Sequence, residues 1–283
     1  MIDLLLDAFI DTLKLIPFLF ITYLLMELLE HKAGEKSKNI ISRAGSFGPA
    51  LGALLGAVPQ CGFSAAAAGL FSGGVVSAGT VIAIFLATSD EMIPVCISEK
   101  VGADVIAKIL IYKILLGIIF GFAADFIVKK IIKKDFSKNI HSICSEENCH
   151  CEESILKSSV HHTIKITLFI LIINIAVNGI IFAFGEDSLS KLFVSIPVLT
   201  SFVSAIIGLI PNCAASVVIT KLYLEGIIST GSLMAGLLAG SGLGILVLFK
   251  TNKSLKQNIL ILSSVYAISV LCGILFDLFN ITF

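Results

Sequence analysis

The stretch Gly56-Ala-Val-Pro59-Gln60-Cys61-Gly-Phe-Ser64 lies inside an apolar run, and 152 residues later Gly208-Leu-Ile-Pro211-Asn212-Cys213-Ala-Ala-Ser216 repeats its pattern. Proline in a helix interior removes a backbone hydrogen bond and clashes with the preceding turn, at a cost of ~3 kcal/mol. The first stretch therefore predicts two short helical arms, 46–58 and 62–72, joined at a tip of Pro59, Gln60, Cys61 and Gly62. The same offset, without a gap, pairs Gly74 with Gly226, Ser77 with Ser229, Gly79 with Gly231 and Ser89 with Ser241. It continues through Gly121 and Gly273 to Asp125 and Asp277. Apolar bias alone does not align Pro, Cys, Ser and Asp, so the chain is an internal duplication.

Of the 283 residues, 57% are hydrophobic and 14% charged, against ~45–50% and about 25% in a soluble domain. That charge is too little to cover a water-facing surface. Apolar segments fall at 8–28, 46–72, 76–97, 105–128, 163–184, 196–222, 227–249 and 257–280, close to the ~20 residues of a membrane span. A soluble enzyme, a secreted disulfide scaffold and a disordered adaptor are excluded. Twenty basic residues balance twenty acidic ones, which removes the case for a nucleic-acid partner. Seven cysteines, split between the spans and one polar loop, do not make a disulfide framework. The acidic start (Asp3, Asp7, Asp11) lacks the basic region of a cleavable signal peptide, so the first apolar segment is expected to be retained.

Charge sets the expected topology. Lys32, Lys36, Lys38 and Arg43 mark one loop as cytoplasmic, and Lys129, Lys130, Lys133, Lys134 and Lys138 mark the next. Three apolar segments lie between these loops, so one of them does not cross, and the segment broken by Pro59 is the candidate. The expected fold is an all-α polytopic membrane protein of two inverted-topology repeats. Each repeat has three full spans plus a broken re-entrant helical hairpin, or ten helical segments in all when hairpin arms are counted. Residues 1–128 form the first membrane repeat, 129–162 a cytoplasmic Cys/His-rich linker and 163–283 the second repeat. Both termini are expected outside a prokaryotic plasma membrane.

Paired broken helices in inverted repeats hold the substrate sites of secondary transporters, near the bilayer midplane. Here the tips would supply the thiols of Cys61 and Cys213, the amide oxygens of Gln60 and Asn212, and the hydroxyls of Ser64 and Ser216. That donor set favours a soft or borderline cation. Thr88-Ser89-Asp90-Glu91 adds two adjacent carboxylates within a span, a costly placement that defaults to function. Asp90 and Glu91 are read as ligands or proton-exchanging acids, with Ser89 and its equivalent Ser241 beside them. The structural alternative, compatible with the first, is an ion pair with Lys113 in the next span. Asp125 and Asp277 are read as caps or interface groups. Gly236, Gly240, Gly242 and Gly244 form a stripe that permits close helix approach or a bend. In the linker, His141, Cys144, Cys149, His150 and Cys151 could capture Zn²⁺ or a similar ion, the plain alternative being a solvated linker.

The duplicated Pro-x-Cys elements and the His/Cys-rich central loop resemble the ArsP-like ten-helix heavy-metal exporters. Members of that family are labelled arsenic efflux proteins or manganese transporters, and the resemblance runs over essentially the whole chain. It implies export of a heavy-metal cation or metalloid. Thiol donors suit zinc, cadmium, mercury or trivalent arsenic better than manganese, which prefers oxygen.

The expected function is thus gradient-driven export by alternating access, since the chain holds no Walker motif. No permanent cofactor is expected. The expected partners are the lipid bilayer, the metal or metalloid and a coupling proton, with a second copy of the chain as a candidate. The rival is a transmembrane thiol-redox carrier that passes electrons through Cys61 and Cys213, against which Asp90, Glu91 and the His-containing loop have no evident use. A metal sensor without transport, built on the central loop, is a third reading. The topology makes a direct prediction: a membrane-impermeant label should reach position 101 from outside and position 140 only from the cytoplasm. Labelling of both from one side would break the inversion.

Overall fold

The computed structural model describes residues 47–58, 62–89, 92–128, 155–184 and 200–283, together with part of 9–24. The described residues form helices joined by short turns, without a strand among them. The helices are α1 (Gly48–Gly56), α2 (Gly62–Ser72), α3 (Ala78–Ala87), α4 (Met92–Ser98), α5 (Ala103–Ile127) and α6 (Ile155–Phe184). They continue with α7 (Thr200–Gly208), α8 (Cys213–Leu224), α9 (Thr230–Ala239), α10 (Gly244–Thr251) and α11 (Leu255–Leu278). The first residues of α1, α3, α4 and α5 return 152 positions later as the first residues of α7, α9, α10 and α11.

Local chemistry explains the recurrence. Both α2 and α8 end on a glycine with positive φ, Gly74 at 72° and Gly226 at 73°. Each terminus closes with the same pair of bonds. Val75 N–H donates to Leu70 and Gly74 N–H to Phe71, while Ile227 N–H donates to Leu222 and Gly226 N–H to Tyr223. This double bond pattern satisfies carbonyls that the helix leaves free and needs a left-handed residue, which glycine supplies at least cost.

The next helix in each half then starts on a serine. Ser77 Oγ accepts from Thr80 N–H at 3.1 Å, and Ser229 Oγ accepts from Ser232 N–H at 3.1 Å. A second cap comes from a distant helix. The Asp125 carboxylate of α5 accepts from Gly79 N–H at 2.8 Å and from Ser77 Oγ at 2.7 Å. Asp277 of α11 accepts from Gly231 N–H and Ser229 Oγ, both at 2.8 Å. The capping role expected for these two aspartates is the one observed. Negative charge at a helix N-terminus satisfies free N–H groups and complements the helix dipole. The approach demands glycine, because a Cβ at Gly79 would sit 2.2 Å from the Gly121 carbonyl oxygen, and one at Gly231 would sit 2.2 Å from that of Gly273.

Helix α5 shows how this packing sorts its surface. Ile109, Lys113, Gly117, Gly121 and Asp125 recur every fourth residue and are buried. Ile111, Leu115, Ile119, Phe122 and Phe126 recur on another face and are exposed. Residues four apart share one face of a helix, so one stripe meets protein and the other is apolar and bare. At 1.5 Å per residue the 25 residues of α5 reach ~37 Å, enough to cross a ~30 Å hydrocarbon layer. The stretches Ala78–Ser98, Ala103–Ile127, Thr230–Thr251 and Leu255–Leu278 are each long and apolar enough to span. The chain is an integral membrane protein.

The fold departs from expectation in one respect. Segments 76–97 and 227–249 are each expected as one full span, yet both are broken midway. Helix α3 leaves helical geometry at Thr88 (ψ 126°) and α4 resumes at Met92; α9 leaves it at Gly240 (ψ 79°) and α10 resumes at Gly244. The cause lies in the residues at the breaks. Thr88 and Ser89 turn their hydroxyls back on the Ile84 and Ala87 carbonyls, and such local bonds compete with helix continuation. Pro94 has no N–H to give, but it is tolerated in the first turn of a new helix. In the second half Gly240 and Gly242, the latter at φ 54°, let the chain turn without a side-chain clash.

The broken helices also join the two halves. Helix α10 packs on α2 of the first half, where Ser72 Oγ and Thr251 Oγ1 lie 2.6 Å apart, and α4 packs on α8 of the second. Replacing Asp125 by Ala should lower stability by about 1–2 kcal/mol, the scale of a lost N-cap. The same change at the exposed Asp277 should cost less, because water can reach the freed donors. Thermal unfolding of the two variants in detergent checks the order.

Candidate functional site

A helix leaves its last carbonyls without intrahelical donors, and in hydrocarbon no water replaces them. The break after α9 shows the problem plainly. Gly240 N–H still bonds to Gly236, but Ser241 N–H turns to Ala239, so the chain itself leaves the Leu237 carbonyl unserved. Its donor comes from the other half. Lys113, only 1% exposed, donates from Nζ to the Leu237 carbonyl at 2.7 Å and also to the carbonyl of Thr88 at the end of α3.

One ammonium thus bridges the C-terminal ends of two discontinuous helices, one per half. Each such end carries roughly half a negative charge, and their sum suits a single cation. The position matching Lys113 in α11 is Val265, equally buried. The positive charge therefore belongs to one half only, while both halves supply an end for it.

Several residues singled out from sequence gather around the second break. Ser64 on α2 is fully buried and faces Gly244, where an added Cβ would lie 2.8 Å from Ser64 Cβ. Ser216 on α8 is buried, its Oγ 3.4 Å from where a Cβ on Gly240 would stand. Ser241 is fully buried and its hydroxyl has no hydrogen-bond partner. Ser89, at the first break, is buried with its hydroxyl on the Ala87 carbonyl at 3.1 Å.

Asn212 is half-buried, and its backbone N–H bonds to Ile210 at 2.7 Å in the turn that precedes α8. Cys213 opens α8. Gln60, Cys61, Asp90 and Glu91 lie outside the described residues, as does the side chain of Cys213. So do the linker residues His141, Cys144, Cys149, His150 and Cys151. The thiols Cys96 and Cys272 are buried among apolar neighbours, as packers.

The ion pair weighed as an alternative for Lys113 involves Asp90 and Glu91, which lie outside the described residues. The bonds from Lys113 to the Thr88 and Leu237 carbonyls were not anticipated, because a backbone oxygen has no letter in the sequence. The signals in the sequence were Gly240, Ser241, Gly242 and Gly244 at one break and Thr88 and Ser89 at the other, residues that permit a helix to stop.

This architecture is that of a polytopic helical membrane protein in which two matched apolar segments, one per half, are interrupted midway. The chain belongs to the family described as "Putative, 10TM heavy-metal exporter", which matches residues 1–200. The match takes in the whole first half and stops at the start of α7. No curated protein and no solved structure matches the chain.

A buried hydroxyl left without a partner costs about 1–3 kcal/mol. Ser241→Ala should therefore unfold at or above the temperature of the native protein. Ser204→Ala should unfold lower, because it removes the 2.6 Å bond from Ser204 Oγ to the Ser232 carbonyl. Melting curves of the two variants in one detergent check the contrast.

Proposed function

We propose that the protein is a secondary-active transporter exporting a heavy-metal cation or metalloid by alternating access between two inverted repeats. The observation that carries this reading is the meeting of two discontinuous helices, one per half, at a single buried charge. Discontinuous helices in matched positions of two repeats are the device by which many transporters place polar groups at the midplane. Membership in a family named for heavy-metal export supplies the substrate class.

In the proposed site Cys61 and Cys213 are the principal ligands, assisted by Gln60, Asn212, Ser64 and Ser216. Ser89 and Ser241 line the breaks, and Asp90 and Glu91 balance the charge or exchange protons with it. Thiol donors select zinc, cadmium, mercury or trivalent arsenic over manganese. Ser64 and Ser216 support this placement, since both are buried beside the α9–α10 break. The linker residues His141, Cys144, Cys149, His150 and Cys151 would capture metal on the cytoplasmic side, and a proton gradient would drive export.

Uptake of Zn²⁺, Cd²⁺ and arsenite into inverted membrane vesicles tests the reading. Cys61→Ser combined with Cys213→Ser should lower uptake of the native substrate at least about tenfold, the scale of a lost ligand or ligand support. Undiminished uptake in the double variant would remove the thiols from the site. A Cys61–Cys213 disulfide that cycles with a thioredoxin partner, without metal uptake, would point instead to electron transfer.

A further inference from the structure

Lys113 bonds to two carbonyls that have nothing in common except that each ends a broken helix. Burying an ammonium is costly unless its donors are met, and here the Thr88 and Leu237 carbonyls accept from it, one from each half. The root of the lysine is held firmly. One turn further along α5, a Cβ at Gly117 would lie 2.8 Å from the Ala83 carbonyl oxygen and 3.2 Å from Ala53 Cβ. Ser241, four residues past Leu237, has a fully buried hydroxyl without a hydrogen-bond partner among the described residues. Unwound carbonyls and half-helix C-terminal ends are the groups by which transporters coordinate small cations. Val265 at the matching position of α11 shows that the fold does not require a lysine at such a place for packing alone.

We propose that the space between the Thr88 and Leu237 carbonyls is a binding position for a small primary ammonium or alkali cation. Lys113 fills it from within as a tethered occupant. While the ammonium is seated, it ties the ends of α3 and α9 together across the two halves, and the transport cycle must release it from at least one of them. The release step rests on the transport reading above; the cation position does not.

The test uses the full-length protein in detergent without heavy metal. Lys113→Ala removes a side chain whose missing part has the size and charge of n-propylammonium. This variant should melt below the native protein and regain at least half of the lost stability as n-propylammonium chloride is raised, with saturation. Tetramethylammonium chloride at equal ionic strength should not restore it, and the native protein should respond equally to both salts. Equal response of the variant to both salts, or native melting without either, would overturn the proposal.

If Lys113→Ala does not accumulate, Lys113→Met keeps the length and removes the charge. It should bind the membrane normally yet lose metal uptake in inverted vesicles at least about tenfold, a change of 1.4 kcal/mol or more. Native uptake in Lys113→Met would overturn the tethering role. Failure of the thermal rescue leaves metal export untouched, so the two readings fail separately.

Discussion

A helix that stops inside hydrocarbon exposes carbonyls that no water can serve, and the molecule solves this twice over with one side chain. Lys113 reaches from α5 to the ends of α3 and α9. Breaking a membrane helix is tolerable only when the freed backbone groups find partners in neighbouring helices. The lysine supplies a partner for a carbonyl at both breaks, and those carbonyls offset part of the cost of burying its charge.

The rest of the architecture brings those ends together. Each of α3 and α9 is anchored at its start by a serine cap and by an aspartate from a helix 46 residues further along the chain. Gly79 against Gly121 and Gly231 against Gly273 allow backbone to lie against backbone. With its N-terminus pinned and its flank pressed on α5 or α11, each short helix has its C-terminus aimed by rigid packing. The halves then exchange partners, α10 lying on α2 and α4 on α8. Two similar halves thus share one polar centre rather than each closing around its own.

The two halves are not equal in charge. At the 152-residue offset Lys113 corresponds to Val265, and Asp90 and Glu91 correspond to Gly242 and Leu243. A duplicated frame therefore carries a single set of charges at its breaks. The ammonium that joins the two helix ends comes from the first half, while each half contributes one end. A site built this way needs both halves, which is the arrangement alternating access exploits.

Much of this was legible in the residues themselves. The duplication, the membrane class and the paired short arms follow from Pro59 and Pro211, from the matched Ser, Gly and Asp positions, and from the apolar runs. Composition and proline act locally, through desolvation and missing hydrogen bonds, so a one-dimensional pattern records them. The capping role of Asp125 and Asp277 was within reach for the same reason, since a lone carboxylate near a span end has few other uses. The breaks at Thr88 and Gly240 were not foreseen, although Thr88-Ser89-Asp90-Glu91 and the glycines from Gly236 to Gly244 lie at them, because each segment as a whole is long and apolar enough to read as one span. Only the folded chain decides that Lys113 joins two helix ends from different halves. The Thr88 and Leu237 oxygens are backbone groups, identical at every residue, and which of them stand free within reach of one ammonium is a property of three-dimensional packing alone.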